Sequence, residues 1–174
     1  MHPESKAESD KQAERIVLEY GDSILRLCLM YLHDYHLAED AAQDSLIKIH
    51  RKLPTFRGNC SEKTWIMRIV SNTCRDYYRS NWLRHTDRKA VVEELANVLP
   101  APEMPDSAAA DAVIDAVSRL PRALRETVLL RYYQNMRVAE VAQALHISVP
   151  AVNKRLKKAQ EKLRPELWEV YFDA

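Results

Sequence analysis

Glycine is almost missing from this chain: Gly21 and Gly58 are the only two in 174 residues. Phosphate-cradling loops and dinucleotide folds need clustered glycines so that backbone N–H groups can approach a ligand closely, and those folds are excluded. Cysteine is scarce as well. Cys28, Cys60 and Cys74 are odd in number and widely spaced, which fits neither a disulfide framework nor a CxxC metal site. His33 and His36 lie close together, but no further Cys or His pair stands nearby to complete a zinc site. No metal and no cofactor is expected. Long apolar runs are absent, none approaching the roughly 18 residues of a membrane span. The first residues, MHPESKAESDKQAER, are charged and polar, unlike a secretory signal. A cytoplasmic location without membrane insertion is expected. Alternating β patterns of useful length are lacking too, whereas apolar residues recur at three-and-four spacing throughout, so the fold class is all-α. No nucleophile–base pair or apolar-pocket carboxylate pair can be picked out, and the chain does not read as an enzyme.

Net charge of one sign is another absence, and a misleading one. The formal value of +1 comes from 26 Lys and Arg against 25 Asp and Glu. Residues 91–117 contain no Lys or Arg, yet hold Glu93, Glu94, Glu103, Asp106, Asp111 and Asp115. Basic residues cluster before this segment, at Arg75, Arg79, Arg84, Arg88 and Lys89, and after it, from Lys154 to Arg164. Two cationic modules on an acidic tether point to nucleic-acid binding.

The periodicity predicts helices over residues 11–32, loosened midway by Gly21, and 37–53, ended by Pro54. A loop follows, and Asn59 or Ser61 caps a third helix running to about Arg79. The stretch SNWLRHTDRK closes the first module. Pro100, Pro102 and Pro105 make residues 95–107 a semi-extended linker. Beyond it come a short helix to Arg119, a break at Leu120–Pro121, a helix over 122–133 and a final helix pair. Pro165 is expected to interrupt the last helix, and the aromatic tail LWEVYFDA to fold back on the second module. The architecture is two small helical domains, 1–89 and 112–174, joined by an acidic, Pro-containing linker at 90–111, the second domain ending in a helix-turn-helix.

Residues 138–163 carry the strongest motif. At about 100° per residue, Val149, Val152, Leu156, Ala159 and Leu163 share one side of the second helix, and Lys154, Arg155, Lys157 and Lys158 the other. Ser148 stands at the N-cap and Pro150 in the first turn, where a missing N–H is harmless. This is the layout of a helix-turn-helix whose second helix enters the major groove. A solvated amphipathic helix is the plainer alternative. His146 occupies the turn, a residue type tolerated at positive φ.

A second constellation lies on the third helix. Ile66, Ile69, Val70, Thr73 and Tyr77 form a core face, while Trp65, Arg68, Asn72, Arg75 and Arg79 form a separate stripe. An indole, an amide and guanidiniums suit single-stranded nucleic acid, where aromatics stack bases and cations follow phosphates. The alternative is that Trp65 packs in the core and the arginines form a solvated face. Glu39, Asp40 and Asp44 surround Gln43 at the start of the second helix. Either they complement the helix dipole or they form a protein-docking face.

Residues 38–79 resemble the region-two module of bacterial RNA polymerase sigma factors of the small extracytoplasmic-function (ECF) group, and residues 120–164 resemble the region-four module of the same group. The resemblance implies a dissociable specificity subunit of RNA polymerase that directs promoter recognition, DNA melting and transcription initiation. It implies that Asp40, Gln43 and Asp44 contact the clamp helices of the largest polymerase subunit. Val128, Leu129, Tyr132 and Tyr133 would grip the flap of the second-largest subunit. The loop residues Phe56, Arg57, Gly58 and Ser61 would capture a flipped-out base of the minus-ten element, beside Trp65, Arg68 and Asn72. Pro150, Ala151, Asn153, Lys154, Arg155 and Lys158 would enter the minus-thirty-five major groove. In that groove Arg155 is the candidate base reader, and Lys157 and Lys158 the candidate phosphate contacts. An anti-sigma factor is a further expected partner, since the family commonly uses one. The rival readings are a helix-turn-helix regulator acting without core polymerase, and a pure interaction protein imitating a sigma module.

Overall fold

The chain turns from its first helix into its second within two residues. His33, at φ 55°, closes α1 (Pro3–Leu32) with a left-handed backbone, and the Asp34 carboxylate accepts the Leu37 N–H at 2.9 Å to open α2 (Tyr35–Lys52). The structure is a computed structural model that describes the backbone of residues 3–81 and 107–171 and the side chains of residues 10–80 and 113–165. The helix α1 passes through Gly21 without a break. Pro54 sits in a 3-10 turn (Leu53–Thr55) rather than directly ending α2. Of the two expected caps, Ser61 opens α3 (Glu62–Asn81): its hydroxyl accepts the Thr64 N–H at 3.1 Å.

These three helices bury one another's apolar stripes. Ile16, Ile24 and Leu27 of α1, Ala38, Ala41 and Ile49 of α2, and Ile66, Met67 and Val70 of α3 are buried. Each large side chain so removed from water contributes about 1.5–3 kcal/mol. Cys28 and Cys74 meet inside this core with sulfurs 3.5 Å apart, both as free thiols. The hydrogen bond to Cys28, together with burial, pushes the Cys74 thiol well up, which keeps it in its unreactive protonated form.

The second unit contains α4 (Ser107–Arg119), α5 (Arg122–Val128), α6 (Val138–Leu145) and α7 (Val149–Tyr171). The single helix expected over 122–133 is not uniform. After α5 the chain widens into a π turn (Leu129–Tyr133), where the Gln134 N–H reaches the Leu129 carbonyl at 2.9 Å, five residues back. Asn135 at φ 51° then redirects the backbone towards α6. The helix α7 also departs from expectation, because it continues past Pro165 and gives up only the bond that a residue-165 N–H would make to the Glu161 carbonyl. Most of the linker expected at 90–111, and the basic residues Arg84, Arg88 and Lys89, lie outside the described residues, as do the side chains of the aromatic tail.

The two units lie against each other. The helix α3 packs on α6, and α1 touches α4 and α5. Buried apolar residues of both units, from Ile16 to Ala159, form one connected core. Polar contacts cross the boundary: Ser23 Oγ donates to Gln134 Oε1 at 2.8 Å, Lys63 Nζ to the Gln134 carbonyl at 2.6 Å, and the Tyr31 hydroxyl to Glu126 Oε2 at 2.6 Å.

The turn between α6 and α7 depends on His146, at φ 55° and ψ 45°. A side chain in the left-handed region costs about 1–2 kcal/mol. The variant His146→Gly is therefore expected to raise stability by up to about 1 kcal/mol, part of the relief being offset by glycine's freedom in the unfolded chain. The β-branched His146→Val should lower it. Thermal melting followed by circular dichroism checks both, and a lower midpoint for the glycine variant would refute the account of this turn.

Candidate nucleic-acid interface

The helix-turn-helix is built from its turn outward. The left-handed His146 closes α6, whose first turn is fixed by the Glu140 carboxylate accepting the Arg137 N–H at 2.8 Å. Ser148 Oγ accepts the Ala151 N–H at 3.3 Å and so starts α7, with Pro150 in the first turn. Val152, Leu156 and Ala159 are buried against the unit, and Leu163 is half-buried. Val149, expected on the same side, is 42% exposed, because it lies at the helix start beyond the reach of the core. Asn153, Lys154, Lys157 and Lys158 project into solvent, beside exposed Pro150 and half-buried Ala151. Arg155 does not join this row. Its Nη1 donates to Glu126 Oε1 at 3.1 Å and lies 3.5 Å from the Ala123 carbonyl. That side chain braces α7 against α5.

The other surface is the loop before α3 and the stripe along that helix. Gly58 takes φ 69°, a conformation that favours glycine, although a Cβ there would meet no neighbour. The loop thereby presents Arg57, Gly58 and Asn59 to solvent. The Phe56 ring lies 5.0 Å from that of Trp65, tilted by 35°. Trp65 is half-buried and packs against the core edge, as the core-packing alternative expects of it, with part of the indole left at the surface. Asn72 is exposed, and its Oδ1 accepts from Arg75 Nη1 at 3.0 Å. Arg75 Nε donates to Glu126 Oε2 at 3.0 Å. Burial works against the Arg75 charge, but the Glu126 carboxylate more than offsets it, and the guanidinium pKa is raised. Arg68 is half-buried, with an Nε that has no acceptor among the described residues. Arg79 is exposed and ion-paired with Asp76 one turn away.

The acidic edge of α2 divides in two. Asp40 and Gln43 are exposed, whereas Asp44 is half-buried and accepts the Tyr77 hydroxyl at 2.8 Å. Burial and that bond push the Tyr77 phenol up to about 12. The flap-side residues also divide. Val128 and Leu129 are buried, Tyr133 is half-buried, and Tyr132 is 54% exposed.

Sequence reasoning missed Glu126, Tyr31, Gln134 and Glu140, which tie the two units together. One signal was present: Glu126 is a carboxylate within the apolar run LRETVLL. Its partners are 95, 51 and 29 residues away along the chain, beyond any local pattern. No described helix is long and apolar enough to cross a membrane.

Two family descriptions match the chain in order, Sigma-70 region 2 over residues 16–84 and Sigma-70, region 4 over residues 110–163. The chain is 29% identical to the RNA polymerase sigma-H factor of Pseudomonas aeruginosa, over 95% of this chain and 91% of that protein. It is 27% identical to the ECF RNA polymerase sigma factor SigW of Bacillus subtilis, over 93% and 91%. It is 32% identical to the RNA polymerase sigma factor NccH of Alcaligenes xylosoxydans xylosoxydans, over 72% and 70%. Two solved structures share its fold. CnrH in complex with the cytosolic domain of CnrY has a TM-score of 0.69 at 23% identity, covering 93% of this chain and 94% of that one. The sigma factor RpoE in complex with the anti-sigma factor NepR, from Bartonella quintana, has a TM-score of 0.68 at 19% identity, covering 90% and 97%. A helix-turn-helix regulator independent of polymerase would not account for the region-two match, and the chain belongs to the ECF-type sigma factors of bacterial RNA polymerase, acting in transcription initiation.

Proposed function

We propose that this sigma factor divides its work among three surfaces. The Asp40–Gln43 edge of α2 docks on the clamp helices of the largest polymerase subunit, and Tyr132 and its neighbours contact the flap of the second-largest. The outward row of α7 reads the minus-thirty-five duplex. The loop from Phe56 to Ser61, with Trp65, Arg68 and Asn72, holds melted minus-ten bases. The domain division at 1–89, 90–111 and 112–174 follows the same assignment, and the site of action is the cytoplasm. An anti-sigma partner is supported by the fold shared with RpoE, whose solved structure holds the anti-sigma factor NepR.

The observation that carries this reading is the sharp division of α7. Lys154, Lys157 and Lys158 are exposed on a helix whose opposite row is buried, and that helix follows a left-handed turn. A row of lysines held on a rigid element follows phosphates, and the adjacent Asn153 amide suits a base edge. Melting then needs no chemistry: bases that leave the stack are stabilised by aromatic and cationic contacts.

Each of the three surfaces carries expected outcomes. The pair Asp40→Lys/Gln43→Ala should weaken binding to core polymerase on the order of tenfold or more with helix content unchanged, as read by titration of labelled protein with core; full affinity would move the docking site elsewhere. In holoenzyme, Lys154→Ala or Lys158→Ala should weaken matched and scrambled upstream elements alike and reduce the salt slope by about one. Asn153→Ala should relax preference at one base pair at a cost of about 1–3 kcal/mol. Arg155→Ala should lower the melting temperature and leave base preference intact, because its guanidinium is occupied by Glu126. A specificity change confined to Arg155→Ala would restore that residue as the reader. Finally, Trp65→Ala should slow open-complex formation severalfold, stacking being worth about 1–3 kcal/mol per base, and a premelted bubble template should recover most of the rate; equal defects on both templates would contradict a role in melting.

A further inference from the structure

Two of the three cysteines of this chain meet in the core of the first unit. Cys28 on α1 and Cys74 on α3 are fully buried free thiols. Their sulfurs lie 3.5 Å apart, although the residues stand 46 positions apart in the chain. Free cysteine packs as a small hydrophobe, which accounts for each residue singly. It does not account for a cysteine-poor chain placing two of three sulfur to sulfur. A disulfide holds its sulfurs about 2.05 Å apart, so a closing of about 1.5 Å separates this pair from a cross-link. That bond would tie the first helix to the third and enclose all of α2 and the loop from Phe56 to Ser61. A cross-link over a long loop removes more freedom from the unfolded chain than one over a short loop. In the cytoplasm, the proposed site of action, disulfides are transient and redox-sensing. The pair is also close to the strand-facing stripe: Asn72 and Arg75 lie two residues before and one residue after Cys74.

We propose that Cys28 and Cys74 are a reversible redox pair, oxidised by hydrogen peroxide to a disulfide that pins α3 to α1 and slows promoter opening. The effect on opening rests on the assignment of the α3 stripe to the melted strand. Peroxide first oxidises one thiol to a sulfenic acid and releases one water. The second sulfur then attacks the sulfenic sulfur. The S–S bond forms, the S–O bond breaks, and the hydroxyl leaves with the remaining thiol proton as a second water. Two thiols and one peroxide thus give one disulfide and two waters, the sulfurs together losing the two electrons that the peroxide gains. A dithiol reverses the reaction by exchange. With α1 and α3 together, burial keeps peroxide out and the hydrogen bond to Cys28 holds Cys74 protonated. Oxidation therefore follows a transient parting of the two helices, and the pair responds to sustained oxidant rather than to a brief pulse.

The test uses the full chain with Cys60→Ser, which leaves the pair as its only thiols, and compares the oxidised and reduced states of that one protein. Hydrogen peroxide should remove two hydrogens from the intact mass, and both thiols should resist alkylation in denaturant. The oxidised form should melt about 5 °C or more above the reduced form, and a dithiol should restore the original midpoint. After removal of the peroxide and reconstitution with core polymerase, the oxidised form should open promoter duplex about threefold or more slowly, because small displacements of positioned groups are costly. Cys28→Ala or Cys74→Ala in the same background, treated alike, should show none of these changes. A slowing shared by those variants would trace the effect to another oxidised group and overturn the pair. Survival of both thiols in peroxide, even close to the melting midpoint where the helices part often, would overturn it as well. A disulfide that raises the midpoint and leaves the opening rate unchanged would overturn the switch, provided that Trp65→Ala slows opening in the reduced protein. If Trp65→Ala has no effect there, the assignment of the stripe fails instead, and the link from disulfide to promoter opening falls with it.

Discussion

A carboxylate within a buried helix constrains everything around it. Glu126 lies between Leu124 and Val128, both buried, on α5. Taking its charge out of water costs several kcal/mol, and only close cations and hydrogen-bond donors return that cost. The position of Glu126 therefore dictates where Arg155, Arg75 and the Tyr31 hydroxyl must sit. Burial first, then the Glu126 charge, push the Tyr31 phenol well up, so it stays protonated and donates its hydrogen. Within the second unit the bond to Arg155 sets the seating of α7 on α5. Between the units, the bonds to Arg75 and Tyr31 hold α1 and α3 against α5.

The division of α7 into functional and structural rows follows from the same point. On a helix at 100° per residue, Arg155 lies about 60° from Val152 and about 40° from Ala159. Both of those residues are buried. Arg155 is thus at the flank of the core stripe, and its charge is drawn inward to Glu126. Lys154, Lys157 and Lys158 stand on the solvent side. A basic residue and a groove-facing residue are not the same thing, and the helical angle separates them.

Much of this architecture was legible from local pattern. The helices, the Ser61 and Ser148 caps, the left-handed turn at His146 and the opposite faces of α3 all follow from spacing and side-chain chemistry within a few residues. The helical angle would also have separated Arg155 from the lysines, but grouping by charge placed them together. The π turn at Leu129–Tyr133 was not legible, since one widened turn leaves the apolar spacing of LRETVLLRYY almost unchanged. Helix continuation past Pro165 was not legible either, because a proline removes one bond and the flanking turns decide whether the helix survives. The contacts of Glu126, Gln134 and Glu140 with the first unit lay furthest from reach. They depend on how two separately foldable-looking segments meet, and no spacing rule extends over such distances along the chain. Composition marked two modules on a tether without fixing how they sit; the shared core shows them together.

Contact between the two units and the binding of any partner that needs them apart are linked by mass action. A partner can open the two units only by the amount by which it binds the open form better than the closed one. On the proposed assignment, core polymerase meets α2 at Asp40 and Gln43 and the second unit around Tyr132. The α2 edge at Asp40 and Gln43 is exposed with the two units together. Val128 and Leu129 are buried, so a partner could reach them only with local repacking. Under that assignment exposure would order docking, with the α2 edge ahead of a surface that includes Val128 and Leu129. The hydrogen bonds of Glu126 on α5 with Tyr31 on α1 and Arg75 on α3 therefore help to set how firmly the two units are held together.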